Sequence, residues 1–125
     1  MGITFEHLSG QRVGEIQSFS GTSVRLGRHP ENDLAFDPQQ DLAVSKYHAE
    51  VVREDGRWVL VDKGSSNGTF WNDQRIRRHT LRTGDIVQLG VDGPRLRVRV
   101  EGSFRTGSFR TLLYQVSHQA NRRLR

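Results

Sequence analysis

Short apolar runs set between polar and turn-forming residues mark this chain from its third residue to about its hundredth, and their period is that of strands. Val24 and Leu26 flank Arg25, Val59, Leu60 and Val61 form a short continuous run, and Arg95, Arg97 and Arg99 alternate with apolar residues. β-Branched and aromatic residues fill these runs, and Gly, Asn, Asp and Pro separate them. The 3.6-residue period of an amphipathic helix is missing. The pattern predicts strands at residues 3–7, 13–18, 23–27, 34–36, 48–54, 57–62, 69–71, 75–77, 86–89 and 95–101. Asp55-Gly56, between Val51-Val52 and Trp58-Val59, predicts a two-residue hairpin, because a tight type I′ turn needs positive φ at both central positions. Asn72-Asp73 is a weaker signal of the same kind. Ten to eleven short strands without a long helix predict an all-β fold, a β-sandwich of two sheets.

The character changes after Glu101. Gly102 and Ser103 open a segment that carries Ser-Phe-Arg-Thr twice, at 103–106 and 108–111, and ends in basic residues. Residues 1–101 therefore read as one folded domain and 102–125 as a basic tail or linker. Within the tail Phe109, Leu112, Leu113, Val116 and Ala120 fall on one helical face that Ser108 is placed to cap, which predicts a short helix over 108–121. A terminal helix that packs on the sandwich or leads into a neighbouring domain is its simplest use. Thr106 and Thr111 are the positions at which phosphorylation would let a molecule engage its own or a neighbour's tail.

Composition narrows the function classes. At 125 residues the chain is one domain's worth, and without cysteine it has no disulfide, thiolate metal site or thiol nucleophile. It has neither a signal-peptide-like apolar start nor about eighteen consecutive apolar residues, so no membrane span and a cytoplasmic location are expected. Residues 1–70 carry 7 basic and 10 acidic side chains, whereas residues 71–125 carry 12 and 4. The basic second half favours an anionic partner: a phosphoprotein, nucleic acid or an acidic membrane surface. Arg75, Arg77, Arg78 and Arg82 cluster, and Arg95, Arg97 and Arg99 read as a solvated basic edge strand that also deters sheet aggregation. No helix-turn-helix, zinc finger or RNP-type aromatic pair accompanies them, so nucleic-acid binding is the alternative and not the main reading.

Catalysis and cofactors find little support. Ser45, His48 and a carboxylate such as Asp62 could be assembled into a hydrolase triad only against their spacing at a loop-to-strand junction, and no Gly-x-Ser-x-Gly elbow is present. His7, His29, His48, His79 and His118 offer no pair at metal-ligand spacing, and there is no Walker A or Gly-x-Gly-x-x-Gly loop. The expectation is a non-enzyme with no catalytic residue, no metal and no cofactor.

Three loop segments carry the chemistry instead. Gly27-Arg28 follows one strand, Ser45-Lys46-Tyr47-His48 leads into another, and Gly64-Ser65-Ser66-Asn67-Gly68-Thr69 links two more. Together they supply a guanidinium, an ammonium, hydroxyls, an amide and backbone N–H groups, with no carboxylate. Loops at one end of a sandwich converge, and this inventory suits an anion with several oxygens, a phosphate best of all. Arg28 is the first choice for its anchor, because a planar fork of donors meets two phosphate oxygens at once and stays charged at any relevant pH. Ser45 would donate its hydroxyl and Lys46 would add charge.

In their order and spacing, Gly27-Arg28, Ser45-x-x-His48 and Ser66-Asn67-Gly68-Thr69 resemble the signature of forkhead-associated (FHA) domains, β-sandwiches of the FHA/SMAD type. Asn32 to Phe36, His48-Ala49-Glu50-Val51 and Leu81-x-x-Gly84-Asp85-Ile86-x-x-Leu89-Gly90 extend the likeness over roughly residues 1–100. The resemblance implies a phosphothreonine-dependent protein interaction module in a kinase signalling or assembly pathway. Its partner would be a phosphothreonine-containing protein such as a Ser/Thr kinase or its substrate. By the same resemblance Ser66 touches the phosphothreonine, Asn67 holds the peptide main chain, and His48 braces the loops without touching ligand. Gly27, Gly64, Gly68 and Thr69 then shape the loops.

Overall fold

The structure is a computed structural model and describes residues 2–101. The helix expected over 108–121, the paired Ser-Phe-Arg-Thr units and the tail assigned to 102–125 lie outside the described residues.

The described residues form eleven strands: β1 (Gly2–His7), β2 (Ile16–Ser20), β3 (Ser23–Gly27), β4 (Leu34–Ala35), β5 (Ala49–Glu54), β6 (Arg57–Asp62), β7 (Thr69–Trp71), β8 (Gln74–Ile76), β9 (Arg78–Thr80), β10 (Ile86–Leu89) and β11 (Arg95–Val100). They make two sheets, one in the order β2-β1-β11-β10-β7-β8 and the other β4-β3-β5-β6-β9. Among the described residues the strands pair antiparallel, except β3 with β4, which run parallel. The all-β sandwich read from the sequence is the observed architecture.

Alternation decides what is buried. Ile3 and Phe5 of β1, Val24 and Leu26 of β3, Leu96 and Val98 of β11 all point between the sheets, and each is no more than 1% exposed. Trp58 is the largest fully buried side chain. Burying each such group stabilises the fold by roughly 1.5–3 kcal/mol, offset by the entropy of ordering the chain. The hairpin turns follow their residues: Asp55 and Gly56 have φ of 51° and 78°, and Asn72 and Asp73 have 44° and 71°, as type I′ geometry requires.

Three features depart from the expectation. β2 lies at Ile16–Ser20 and not at 13–18, because the chain makes turns between β1 and β2 and enters the sheet through a bulge. There the amide of Gly14 donates to His7 O while His7 N donates to Glu15 O. β9 was not foreseen, since Arg78-His79-Thr80 has no apolar alternation; it forms by pairing Val59, Leu60 and Val61 with Thr80, His79 and Arg78. β11 is not an edge strand. It sits between β1 and β10, with its arginines on the outer face of the sheet, because a charged face says nothing about whether the strand's backbone edges are paired.

Register also brings the loops together. Leu26 pairs with Ala49 and Ala49 with Asp62, so the segments after β3, before β5 and after β6 all leave from one rung at one end of the sandwich.

Candidate functional site

Gly27 allows the first two loops to touch. A Cβ there would lie 2.1 Å from Lys46 O and 2.7 Å from Asn32 Nδ2. That carbonyl accepts from His29 N at 3.1 Å and from the buried Asn32 amide at 2.7 Å, while Arg28 N donates to Ser45 O at 3.0 Å. Asn32 is thus a loop tie. In the sequence it is visible only as the start of the FHA-like stretch Asn32 to Phe36, and an asparagine in a turn after the Gly-Arg pair carries no partner's address.

His48 joins the second loop to the third. Ser45 N donates to Nδ1 at 3.0 Å, so Nδ1 is the acceptor and the proton sits on Nε2, which donates to Gly68 O at 2.8 Å. The ring is fully buried. Burial pushes its pKa below the ordinary imidazole value, against the opposing pull of the Gly68 carbonyl and the Asp62 carboxylate. Protonation would place a second N–H against the Ser45 amide.

The sign of the resulting pH dependence follows from the lowered value. The unfolded chain takes up the proton first, so the stability linked to His48 is complete above about pH 6.5 and is lost progressively as pH falls below it. Thermal melts between pH 7.5 and 5 are expected to show a Tm that declines toward acid, and His48→Gln to remove much of that decline. A profile unchanged by the substitution would contradict this assignment.

The third loop is knotted around Asp62. Its carboxylate accepts from Gly64 N at 3.0 Å, Ser65 N at 3.2 Å, Ser65 Oγ at 2.5 Å and Thr69 Oγ1 at 2.6 Å. Burial raises the Asp62 pKa, but these hydrogen bonds, led by the Ser65 hydroxyl, outweigh it and hold the carboxyl below its ordinary value. Gly64 and Gly68 turn the loop with φ of +78° and +91°. Sequence reasoning weighed Asp62 only as a triad carboxylate. The Asp-x-Gly-Ser spacing was the available signal, since aspartate caps the amides two and three residues ahead.

On this frame the candidate ligand groups converge. Ser66 N donates to Ser45 Oγ at 3.0 Å, which leaves the Ser45 hydroxyl proton for a ligand, and Asn67 Nδ2 donates to Ala43 O at 3.0 Å. Ser66, Asn67 and Lys46 are exposed. Arg28 is half-buried; its Nε donates to Val44 O and its Nη1 to Pro38 O at 3.2 Å, so the guanidinium is held in place with donor capacity to spare. Asp37 and Asp41 line the depression beside Arg28, a proximity not visible in the sequence. Their carboxylates are capped by backbone N–H groups of Gln39 and Gln40 and of Asp37 respectively.

The arrangement offers several donors to an anion and does not assemble Ser45, His48 and Asp62 into a triad. Both His48 nitrogens are committed to backbone partners, and four donors occupy Asp62, so neither can act as the base of a Ser45 nucleophile. Among the described residues no group of three His, Cys, Asp or Glu could hold a metal ion, and no helix is long and apolar enough to cross a membrane.

Known proteins resemble this chain in sequence and in fold. The oxoglutarate dehydrogenase inhibitor of Corynebacterium diphtheriae is 44% identical over 92 residues, which are 69% of this chain and 62% of that protein. The glycogen accumulation regulator GarA of Mycolicibacterium smegmatis is 44% identical over 81 residues, 65% of this chain and 49% of its own length. The chain thus spans about half to three-fifths of these curated relatives. Among solved structures, EmbR of Mycobacterium tuberculosis in complex with a low-affinity phosphopeptide aligns with a TM-score of 0.68 at 25% identity, over 79% of this chain and 24% of EmbR. The family model for the FHA domain matches residues 24–90, more than half of the chain, and the chain belongs to that family.

Proposed function

We propose that residues 1–101 are a phosphothreonine reader that binds an extended segment of a phosphorylated protein across the loop end of the sandwich. The observation that carries this reading is the convergence of Arg28, Ser45, Lys46, Ser66 and Asn67, from three loops, on a scaffold whose neighbouring carboxylates, Asp37, Asp41 and Asp62, accept hydrogen bonds from the loops' own N–H and hydroxyl groups. A phosphothreonine brings a charge of about −1.5 to −2 and three acceptor oxygens. Arg28 and Lys46 answer the charge, the Ser45 and Ser66 hydroxyls answer the oxygens, and the Asn67 amide holds the peptide backbone with one donor and one acceptor. His48, Gly27, Gly64, Gly68 and Thr69 hold these groups in place.

The phosphopeptide complex of EmbR supports this class of ligand. An inhibitor and a regulator among the relatives support a role in which binding to a protein partner, and not turnover, is the output. A Ser/Thr kinase or one of its substrates is the partner class we assign. The test is a fluorescence titration with a threonine peptide in phosphorylated and plain forms: the phosphorylated form is expected to saturate and the plain form to remain unbound. Equal binding of the two would sink the reading.

A further inference from the structure

Arg75 lies outside the loops and yet touches them. A Cβ placed on Gly68 would sit 2.8 Å from Arg75 Nε and 3.0 Å from its Cζ, so this guanidinium covers the backbone next to Ser66 and Asn67. From Arg75 a row of side chains crosses the outer face of the six-stranded sheet: Arg75 pairs with Phe70, Phe70 with Gln88, and Gln88 with Arg95. Arg97 and Arg99 continue from Arg95 along the same outer face, alternating with the buried Leu96 and Val98.

The charge on this face is nearly uncompensated. Among the described residues Arg97 pairs with Glu6 at 3.1 Å, while Arg75, Arg95 and Arg99 make no ion pair. Arginines at alternate positions of one strand stand about 6.8 Å apart, and their like charges disfavour the fold unless a ligand answers them. An extended polypeptide presents its own alternate side chains at that same repeat. Carboxylates meet guanidinium forks two bonds at a time.

We propose that this face is an acidic-segment track: a run of Asp or Glu flanking the phosphothreonine leaves the loop site over Arg75 and lies along Arg95, Arg97 and Arg99. The inference rests on the phosphothreonine reading and names the substrate class within it. Three strand spacings separate Arg75 from Arg95, about 14 Å, and the arginine column adds about as much again, so roughly eight extended residues cover the track. A single-stranded nucleic acid is the less suited occupant, since base stacking wants aromatic side chains in series and this row holds only Phe70; Trp71 packs against the core.

The test uses the full chain and fluorescence anisotropy with three phosphothreonine peptides, one with neutral flanks, one with eight Glu-rich residues on the N-terminal side and one with them on the C-terminal side. A poly(dT) oligonucleotide is the fourth probe. One acidic peptide is expected to bind about tenfold tighter than the neutral one at low salt, with the gain shrinking as salt rises. Arg95→Gln, Arg97→Gln and Arg99→Gln combined should abolish that gain while leaving the neutral peptide bound as before, which also shows that the variant is folded. A gain below about twofold on both sides, or one the triple variant keeps, overturns the track while the phosphothreonine site stands. Oligonucleotide binding that depends on the same arginines and matches the acidic peptide overturns the choice of occupant. A neutral phosphopeptide that fails to bind the native chain overturns the underlying reading and the track with it.

Discussion

Arg28→Ala is expected to weaken binding of a phosphothreonine peptide by about tenfold to a hundredfold, because each charge-assisted hydrogen bond lost contributes roughly 1.5–3 kcal/mol. The side chain is also tied to the Val44 and Pro38 carbonyls, so its removal frees the loop that carries Ser45. Losing those two bonds costs on the order of 1 kcal/mol of stability each, less than unfolds a domain. Thermal melting therefore separates the two effects: a Tm lowered by several degrees with binding nearly gone marks a ligand contact, whereas parallel collapse of both marks a structural arginine. Arg28→Lys sharpens the comparison. It keeps the charge and loses the fork, so it should recover only part of the affinity. Isothermal titration giving native affinity for Arg28→Ala would remove this residue from the site.

Gly27→Ala should have the largest effect on the fold for the smallest chemical change. The added methyl carbon would fall 2.1 Å from Lys46 O, a backbone atom held by two hydrogen bonds, so no side-chain rotation relieves the clash. The loop before β5 has to move, and with it the Asn32 amide and the His29 N–H lose their common acceptor. Overpacking of this kind costs about 1–3 kcal/mol, and the broken ties add about 1 kcal/mol each. The expected result is a Tm lower by on the order of 10 °C or more in a domain of this size. Amide hydrogen exchange should accelerate at Arg28 and His29, whose protecting bonds to Ser45 O and Lys46 O span these loops. Phosphopeptide affinity should fall too, although residue 27 offers no side chain to a ligand. Unchanged exchange at those two amides would show that the loops do not depend on this contact.

Legibility in the sequence tracked the range of the interaction. The hairpin at Asp55-Gly56 was readable because its cause, positive φ at two consecutive residues, is contained in those residues. Inward and outward faces were readable for the same reason, since successive side chains of a strand point to opposite sides. The three loop motifs were readable because their residue types are unusual for strands and their order resembles a known signature. What those loops do to one another was not. Asn67 reaches Ala43 across 24 positions and His48 reaches Gly68 across 20, and nothing local to either end specifies the other. Asp62 is an instance of a half-visible case: its caps on Gly64 and Ser65 are local, but its hold on Thr69 depends on the loop already being folded back.

By itself, then, the order of residues determined an all-β chain, the alternation that fills its core, the positions of most strands, and a set of phosphate-suited side chains in loops. Tertiary structure alone decided that Arg78–Thr80 becomes a strand, that β11 runs through the interior of its sheet, and that Arg75 lies on Gly68 at the start of an arginine row. The physical reason is common to all three. Backbone sterics and amphipathic period act within a few residues, whereas strand neighbours and close approaches are set by which distant surfaces bury best together, and that choice is made by the folded whole.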